Sequence, residues 1–257
     1  MRDADRYLFD LQGYLVLPDA LTPQAVKQLN DHLDELWAAE AAPDATTHRF
    51  LPLLGRGQGF VDLIDNEPIQ DLLAELLGDQ YRLDHEYADV IRRGLGPIGA
   101  RLHGGAVPFR PAEFYRSDGT GIHSGLVAVA YNLTDVDPAT GGFACVPGSH
   151  KSAFPFPDDW KALDDPHPCV RRIGGPAGTA IVFTEAMVHG TLPWTADHER
   201  RTIFYKYSPA PISWDDRYYD PDAYPDLTER QRAMLRRPSV KLRMPRRMQE
   251  ALPARSR

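Results

Sequence analysis

Between residues 81 and 210 the chain breaks into short β-favouring runs: Asp89-Val90-Ile91, Leu126 to Leu133, Gly142 to Val146, Thr179 to Phe183 and Thr202 to Tyr207. Gly, Pro and Asp clusters separate them, which is the pattern of a double-sheet all-β domain. Helical patterning lies outside this stretch. Thr22-Pro23 supplies an N-cap with proline in the first turn, and Val26, Leu29, Leu33 and Leu36 follow at helical spacing. Pro68 opens a second helix with Ile69, Leu72, Leu73, Leu76 and Leu77 on its apolar face and Gly78 placed to end it. Phe9 to Leu17 reads as a turn leading into a short strand, and Leu227 to Arg236 as a short helix. The expected organisation is one domain over 1–257: a helical part over about 1–80, a β core over about 81–210 and a C-terminal extension over 211–257.

Composition narrows the class further. The 257 residues are 42% hydrophobic and 25% charged, ordinary for a globular protein. The longest apolar run, Leu126 to Tyr131, is far short of the roughly 20 residues that span a bilayer, and Met1 to Arg6 has no signal-peptide core. A cytoplasmic protein with no membrane partner is expected. Cys145 and Cys169 form no disulfide framework or metal spacing and read as packing residues. Residues 228–257 hold ten Lys/Arg against two Asp/Glu, beneath a net charge of -7. With Leu, Met and Pro interleaved and no nucleic-acid fold signature, that tail reads as folded over an acidic body rather than as a site for a nucleic-acid polymer.

Nine histidines are present, and a β framework would bring two together: His103 in Leu102-His103-Gly104-Gly105, and His189 in Met187-Val188-His189-Gly190-Thr191. Between them lie Leu133-Thr134-Asp135, the Gly141-Gly142 turn and Val146-Pro147-Gly148-Ser149-His150-Lys151, and Arg200 stands eleven residues past His189. In this order and spacing the sequence from about Phe9 to Tyr207 resembles the phytanoyl-CoA dioxygenase family of iron(II)/2-oxoglutarate oxygenases. The resemblance implies a mainly β protein with flanking helices around a double-stranded β-helix, a jelly-roll or cupin-like core. It implies His103 and His189 as Fe(II) ligands, and Arg200, assisted by Thr191, on the far carboxylate of 2-oxoglutarate. Neutral imidazoles suit Fe(II), and the planar fork of arginine suits a carboxylate. Neighbours on a strand face opposite ways, so Arg200 and Arg201 cannot both point inward; the family spacing favours Arg200. Tyr131 reads either as packing along the cosubstrate or as a core aromatic. His150 has a structural place in the family's turn. His85, His123, His167 and His198 have no motif support, and His123 is kept as a substrate-pocket candidate.

One departure stands out. The family's His-x-Asp or His-x-Glu carboxylate is replaced here by Gly105. Three readings follow. The glycine opens a position for chloride or bromide, as in the iron/2-oxoglutarate halogenases whose His-x-Gly motif this is similar to. Alternatively another acid, Glu86, Glu113 or Asp118, reaches the metal of a hydroxylase. In the third, the fold has become a binding protein. The intact Arg200, Thr191 and His189 set favours an enzyme, and the glycine favours the halogenase. The reaction the resemblance implies is oxidative decarboxylation of 2-oxoglutarate with dioxygen, with hydrogen removed from an unactivated substrate carbon. Arg92, Arg93, Arg101, Arg110 and Arg116 bracket the metal motif in an otherwise acidic body and point to a small anionic substrate such as a nucleotide, or else to surface arginines paired with acids.

Overall fold

The computed structural model describes residues 1–240. In chain order it contains α1 (Asp3–Gln12), β1 (Tyr14–Leu17), α2 (Pro23–Glu40), β2 (Thr47–Phe50), α3 (Gln58–Asp62), α4 (Glu67–Leu77), β3 (Arg82–Ile91), β4 (Tyr115–Ser117), β5 (Ile122–Ser124) and β6 (Val127–Asn132). The remainder is β7 (Gly142–Cys145), β8 (Arg171–Arg172), β9 (Ala180–Thr184), β10 (His189–Leu192), β11 (Arg200–Ser208) and α5 (Glu229–Met234). Six strands pair antiparallel in the order β1-β9-β6-β11-β3-β2, and β10-β7-β8 form a smaller sheet. This is the expected jelly-roll-like core.

The period-2 alternation of each strand sorts the larger sheet into two faces. Val127, Val129 and Tyr131 of β6, Ala180 and Val182 of β9 and Ile203, Tyr205 and Tyr207 of β11 join Leu29, Leu33, Leu72, Leu73 and Leu76 in the helix-covered core. Ala128, Ala130, Ile181, Phe183 and Phe204 face the other way, onto Phe143 and Cys145 of the smaller sheet. Ile91, Val136 and Trp194 close one end of this interior.

The helices follow their sequence signals where those signals are strong. Thr22 Oγ1 accepts from the Ala25 N–H at the start of α2. α5 begins with a full capping box between Thr228 and Gln231. It is shorter than the expected 227–236. Phe9 to Gln12 is not a free turn but the end of α1, terminated by left-handed Gly13, whose N–H reaches Phe9 O. α1 carries Tyr7, Leu8 and Leu11 at helical spacing but buries only Phe9, leaving those three exposed. The first 80 residues are also not purely helical, since β1 and β2 form both edges of the large sheet. Both cysteines are free, with Cys145 in the interior cluster.

Residues 212–215 and 236 return to β3. Asp84 accepts from the Trp214 and Asp215 N–H groups, and Arg82 donates to Arg236 O. The remaining basic tail, 241–257, lies outside the described residues. Among the described residues no helix is long and apolar enough to cross a membrane.

Candidate active site

His103 lies in the loop after β3 and His189 opens β10, and the two are joined by a reciprocal pair of backbone hydrogen bonds of 2.8 and 2.9 Å. That bridge extends the smaller sheet by one residue and sets the imidazole rings 4.2 Å apart, centroid to centroid. His189 is 5% exposed, walled by Phe143 and Phe183, whereas His103 stands at the open mouth. Nδ1 of His189 lies 2.7 Å from Met187 O, a carbonyl that can only accept. Nδ1 therefore carries the proton and Nε2 presents a lone pair, the orientation a metal ligand needs. Burial, then the neighbouring His103, lower the pKa of His189 to about 3, so it is neutral at pH 7.

Nε2 lies 3.6 Å from Oε2 of Glu185. Oε1 of the same carboxylate is 2.9 Å from Lys206 Nζ. This ion pair is close but poorly aligned as a hydrogen bond, and Oε1 has no satisfied hydrogen-bond partner among the described residues. Burial opposes the charge on Glu185, but Lys206 and then His189 outweigh it and bring its pKa to about 2. Glu185 and Lys206 are the site residues the sequence reading missed. The available signals were the four-residue spacing of Glu185 from His189 and the even-numbered alternation of Arg200, Thr202, Phe204 and Lys206 along β11. Among the described residues no group of three or more His, Cys, Asp or Glu side chains is placed to hold a metal ion.

Arg200 is 1% exposed on the interior face of β11. Its Nε and Nη1 have no hydrogen-bond partner among the described residues, and neither has the hydroxyl of Thr202 two residues on. Burial lowers its pKa to about 10, which leaves it charged at pH 7. Gly142 (φ +88°) makes room beside it, since a Cβ there would lie 3.4 Å from Arg200 Nε. A buried guanidinium with two idle donors is a site for an anion. Thr191 follows His189 by two on β10 and so shares its face. Arg201 points outward to Asp34 and Glu199, as the alternation requires.

Other expected residues are placed elsewhere. Tyr131 is on the helix-covered face, its hydroxyl accepting from Asn66 Nδ2 at 3.3 Å, and does not enter the interior. Glu86 sits on that face too, held by the Leu53 and Leu54 N–H groups. Glu113 pairs with Arg110 and accepts from Trp214 Nε1, and Asp118 caps its own exposed turn. Among the described residues none of these three acids bonds to the histidine pair, although Glu113 is near enough to act on His103 through space.

Of the arginines, Arg92 pairs with Glu199 and lies over the Trp37 ring, while Arg93 and Arg116 are exposed. Arg101 and Arg110 do converge, with Lys161, on a cavity of about 400 Å³ that His103 also lines. Asp158 and Glu113 partly neutralise its rim. His123 is exposed on β5, opposite Arg116 and 3.9 Å from Asp118. His150 is buried and donates through Nε2 to Asp10 O, the structural place expected of it.

Gly105 adopts φ +104°, and a Cβ added there would meet Val188 Cγ2 at 3.1 Å. Val188 belongs to the outer cluster with Leu102, Leu163 and Leu192. A side chain at 105 would therefore crowd Val188, which would have to give by a few tenths of an ångström.

The fold is similar to that of HygX from Streptomyces hygroscopicus, solved with nickel and 2-oxoglutarate bound, at 21% identity and a TM-score of 0.74 over 83% of this chain and 89% of that one. It is similar also to the carbocyclase SnoK from nogalamycin biosynthesis (18% identity, TM-score 0.60, 82% and 85% covered). The epimerase SnoN, in complex with Fe3+, alpha ketoglutarate and nogalamycin RO, compares at 18% identity and TM-score 0.58, with 80% and 82% covered. No curated protein matches the sequence significantly. The family profile described as Phytanoyl-CoA dioxygenase (PhyH) matches residues 9–202, three quarters of the sequence, and the chain belongs to that family.

Proposed function

We propose that the protein is an iron(II)/2-oxoglutarate-dependent oxygenase acting on a small anionic molecule. The observation that carries this reading is Arg200, a buried cation with two unused donors in the same β interior as a facing histidine pair. These residues fit the two groups: neutral imidazole nitrogens for Fe(II) and a planar guanidinium for a carboxylate. When bound, iron and 2-oxoglutarate supply the oxidising chemistry, dioxygen being reduced as 2-oxoglutarate is decarboxylated to succinate.

The chain's own contribution is placement. Met187 O fixes the His189 tautomer and Phe143 and Phe183 pack against its ring. Substrate would enter on the His103 side, where Arg101, Arg110 and Lys161 suit a phosphate or carboxylate. Arg92, Arg93 and Arg116 do not line that cavity, so two of the five expected arginines line it together with Lys161, which was not among them.

Halogenation is the second reading, and it rests on Gly105, which leaves the usual carboxylate position of the motif without a side chain. Glu185, 3.6 Å from His189 Nε2, is ion-paired with Lys206, so it does not decide between halogenation and hydroxylation. Anaerobic protein with Fe(II) and 2-oxoglutarate should develop the visible charge-transfer band of a chelated oxoacid, and His189→Ala should lose it. Absence of the band in the wild type at saturating concentrations would end the oxygenase reading. Turnover of a panel of phosphorylated and carboxylated metabolites with chloride, read by mass spectrometry for a chlorine isotope pattern or a gain of one oxygen, separates the two outcomes.

A further inference from the structure

We infer that the cavity of about 260 Å³ between the start of β3 and residues 215–224 is a second ligand site, suited to a small hydroxylated organic cation, an amino alcohol or amino sugar in class. The inference stands apart from the oxygenase reading. Residues 215–224 lie past the stretch 9–202 that matches the family profile, so the wall they build is outside the matched region.

The cavity follows from the strand order. β2 pairs with β3 only from Ala88 to Ile91, which leaves the earlier part of that edge without a strand neighbour. The chain turns away at Leu51-Pro52, and the C-terminal segment returns across the gap, pinned where the Trp214 and Asp215 N–H groups donate to Asp84. At about 260 Å³ the space falls just below the roughly 300–1,000 Å³ of drug-sized pockets, so its ligand is no larger than one substituted ring or a short chain.

Three observations specify the ligand. First, Glu86 lines the cavity at 3% exposure, yet among the described residues no cation bonds to it. Its Oε1 accepts from the Leu53 and Leu54 N–H groups at 3.1 and 3.0 Å, which are neutral donors, and a buried carboxylate is ordinarily paired with a cation. Arg217, in the same wall, is already held by Asp215 through Nε and Nη2. Asp220 accepts from the Asp222 N–H and also lacks a cationic partner among the described residues. Second, Tyr218, Tyr219 and Tyr224 line the same cavity, and aromatic faces attract an organic cation. Third, His85 lines it at 9% exposure with one ring nitrogen idle. Nδ1 lies 2.9 Å from Asp84 Oδ1, and Nε2 makes no hydrogen bond among the described residues. A hydroxyl group can meet that nitrogen as donor or as acceptor, so a ligand with both a charge and a hydroxyl uses the whole set. In the other reading Glu86 only caps the Leu53-Leu54 turn and the cavity holds solvent, which gives no selectivity for charge.

The test is calorimetric titration of the full chain, without iron or 2-oxoglutarate, with glucosamine and ethanolamine. Glucose supplies hydroxyls without the cation, and tetramethylammonium the cation without hydroxyls. Trp214 emission is followed in parallel, because its ring lies 5.0 Å from that of His85. At least one of the two amines should bind with a Kd below about 10 mM, and both controls at least about tenfold more weakly. Glu86→Gln with Asp220→Asn keeps the acceptor oxygens, removes both charges and should weaken the amine about tenfold or more. Asp220→Asn alone changes an exposed position that the fold does not depend on, and should still weaken it about threefold. The inference is overturned if neither amine binds below about 10 mM, if either control binds as well as the amines, or if both variants bind as wild type does. An emission change that survives in Trp214→Phe would place the binding elsewhere and overturn it too. None of these outcomes bears on the charge-transfer band that tests the oxygenase reading.

Discussion

Replacing Arg200 by Met should make the protein without cosubstrate more stable and nearly unable to bind 2-oxoglutarate. The methionine keeps most of the apolar stem and removes a buried charge with two idle donors, Nε and Nη1. Each buried donor left without a partner costs about 1–3 kcal/mol, so relief of two contributes about 2 kcal/mol at the low end. For a chain of this length that corresponds to a rise in Tm of about 4–8 °C. The bound state moves the other way. Two charge-assisted bonds to a carboxylate, at about 1.5–3 kcal/mol each, amount to a loss of at least about 100-fold in affinity. Differential scanning calorimetry with metal present reads both effects in one experiment. At a 2-oxoglutarate concentration of 100 times its wild-type Kd, ligand stabilises wild type by about 2.7 kcal/mol and the variant by less than about 0.5 kcal/mol. A variant that melts lower than wild type without ligand and still shows the full ligand-induced shift would refute the assignment of Arg200 as an anion clamp.

Further outcomes follow from the same contacts. Gly105→Asp should destabilise the fold by about 1–3 kcal/mol, because φ +104° is strained for a side-chain-bearing residue, and should not tighten Co(II) binding; tighter binding would show that position 105 does reach the metal. Tyr131→Phe should leave 2-oxoglutarate affinity unchanged and lower stability by no more than about 1 kcal/mol, since it loses one bond to Asn66; a weakened cosubstrate would restore Tyr131 to the site. For Asp84, burial opposes the charge, but His85 and the Trp214 and Asp215 N–H groups prevail and lower its pKa to about 2. A lowered folded pKa gives stability that is present above about pH 4 and lost as pH falls toward 2, so Asp84→Asn should flatten acid unfolding over that window by about 2 kcal/mol. Parallel pH curves for variant and wild type would contradict this. Arg110→Ala should raise the KM of an anionic substrate about ten- to a hundredfold with 2-oxoglutarate affinity intact, and equal KM values would remove the cavity from the substrate site.

What the chain alone determined is what period and local chemistry encode. The short β runs specified two sheets, Thr22-Pro23 and Pro68 to Gly78 specified two helices, and strand alternation decided that of Arg200 and Arg201 only one turns inward. The order His103, Gly141-Gly142, His189, Arg200 was enough to identify the family. The helix over 3–12 was missed although Tyr7, Leu8 and Leu11 stand at helical spacing, since a ten-residue segment is marginal alone and nothing in its sequence shows that only Phe9 is buried against the rest of the fold. Tyr131 shows the same boundary from the other side: an aromatic on a central strand is equally at home on either face, and only the packing of α2 and α4 against one of them decides. The place of Glu185 was out of reach for a further reason. Glu185 joins the histidine pair only through the turn packed against Gly104 and the ion pair to Lys206, on a strand twenty-one residues away. Three separated segments meet there, and although the Glu185–His189 spacing and the alternation along β11 are in the sequence, neither records that the segments meet.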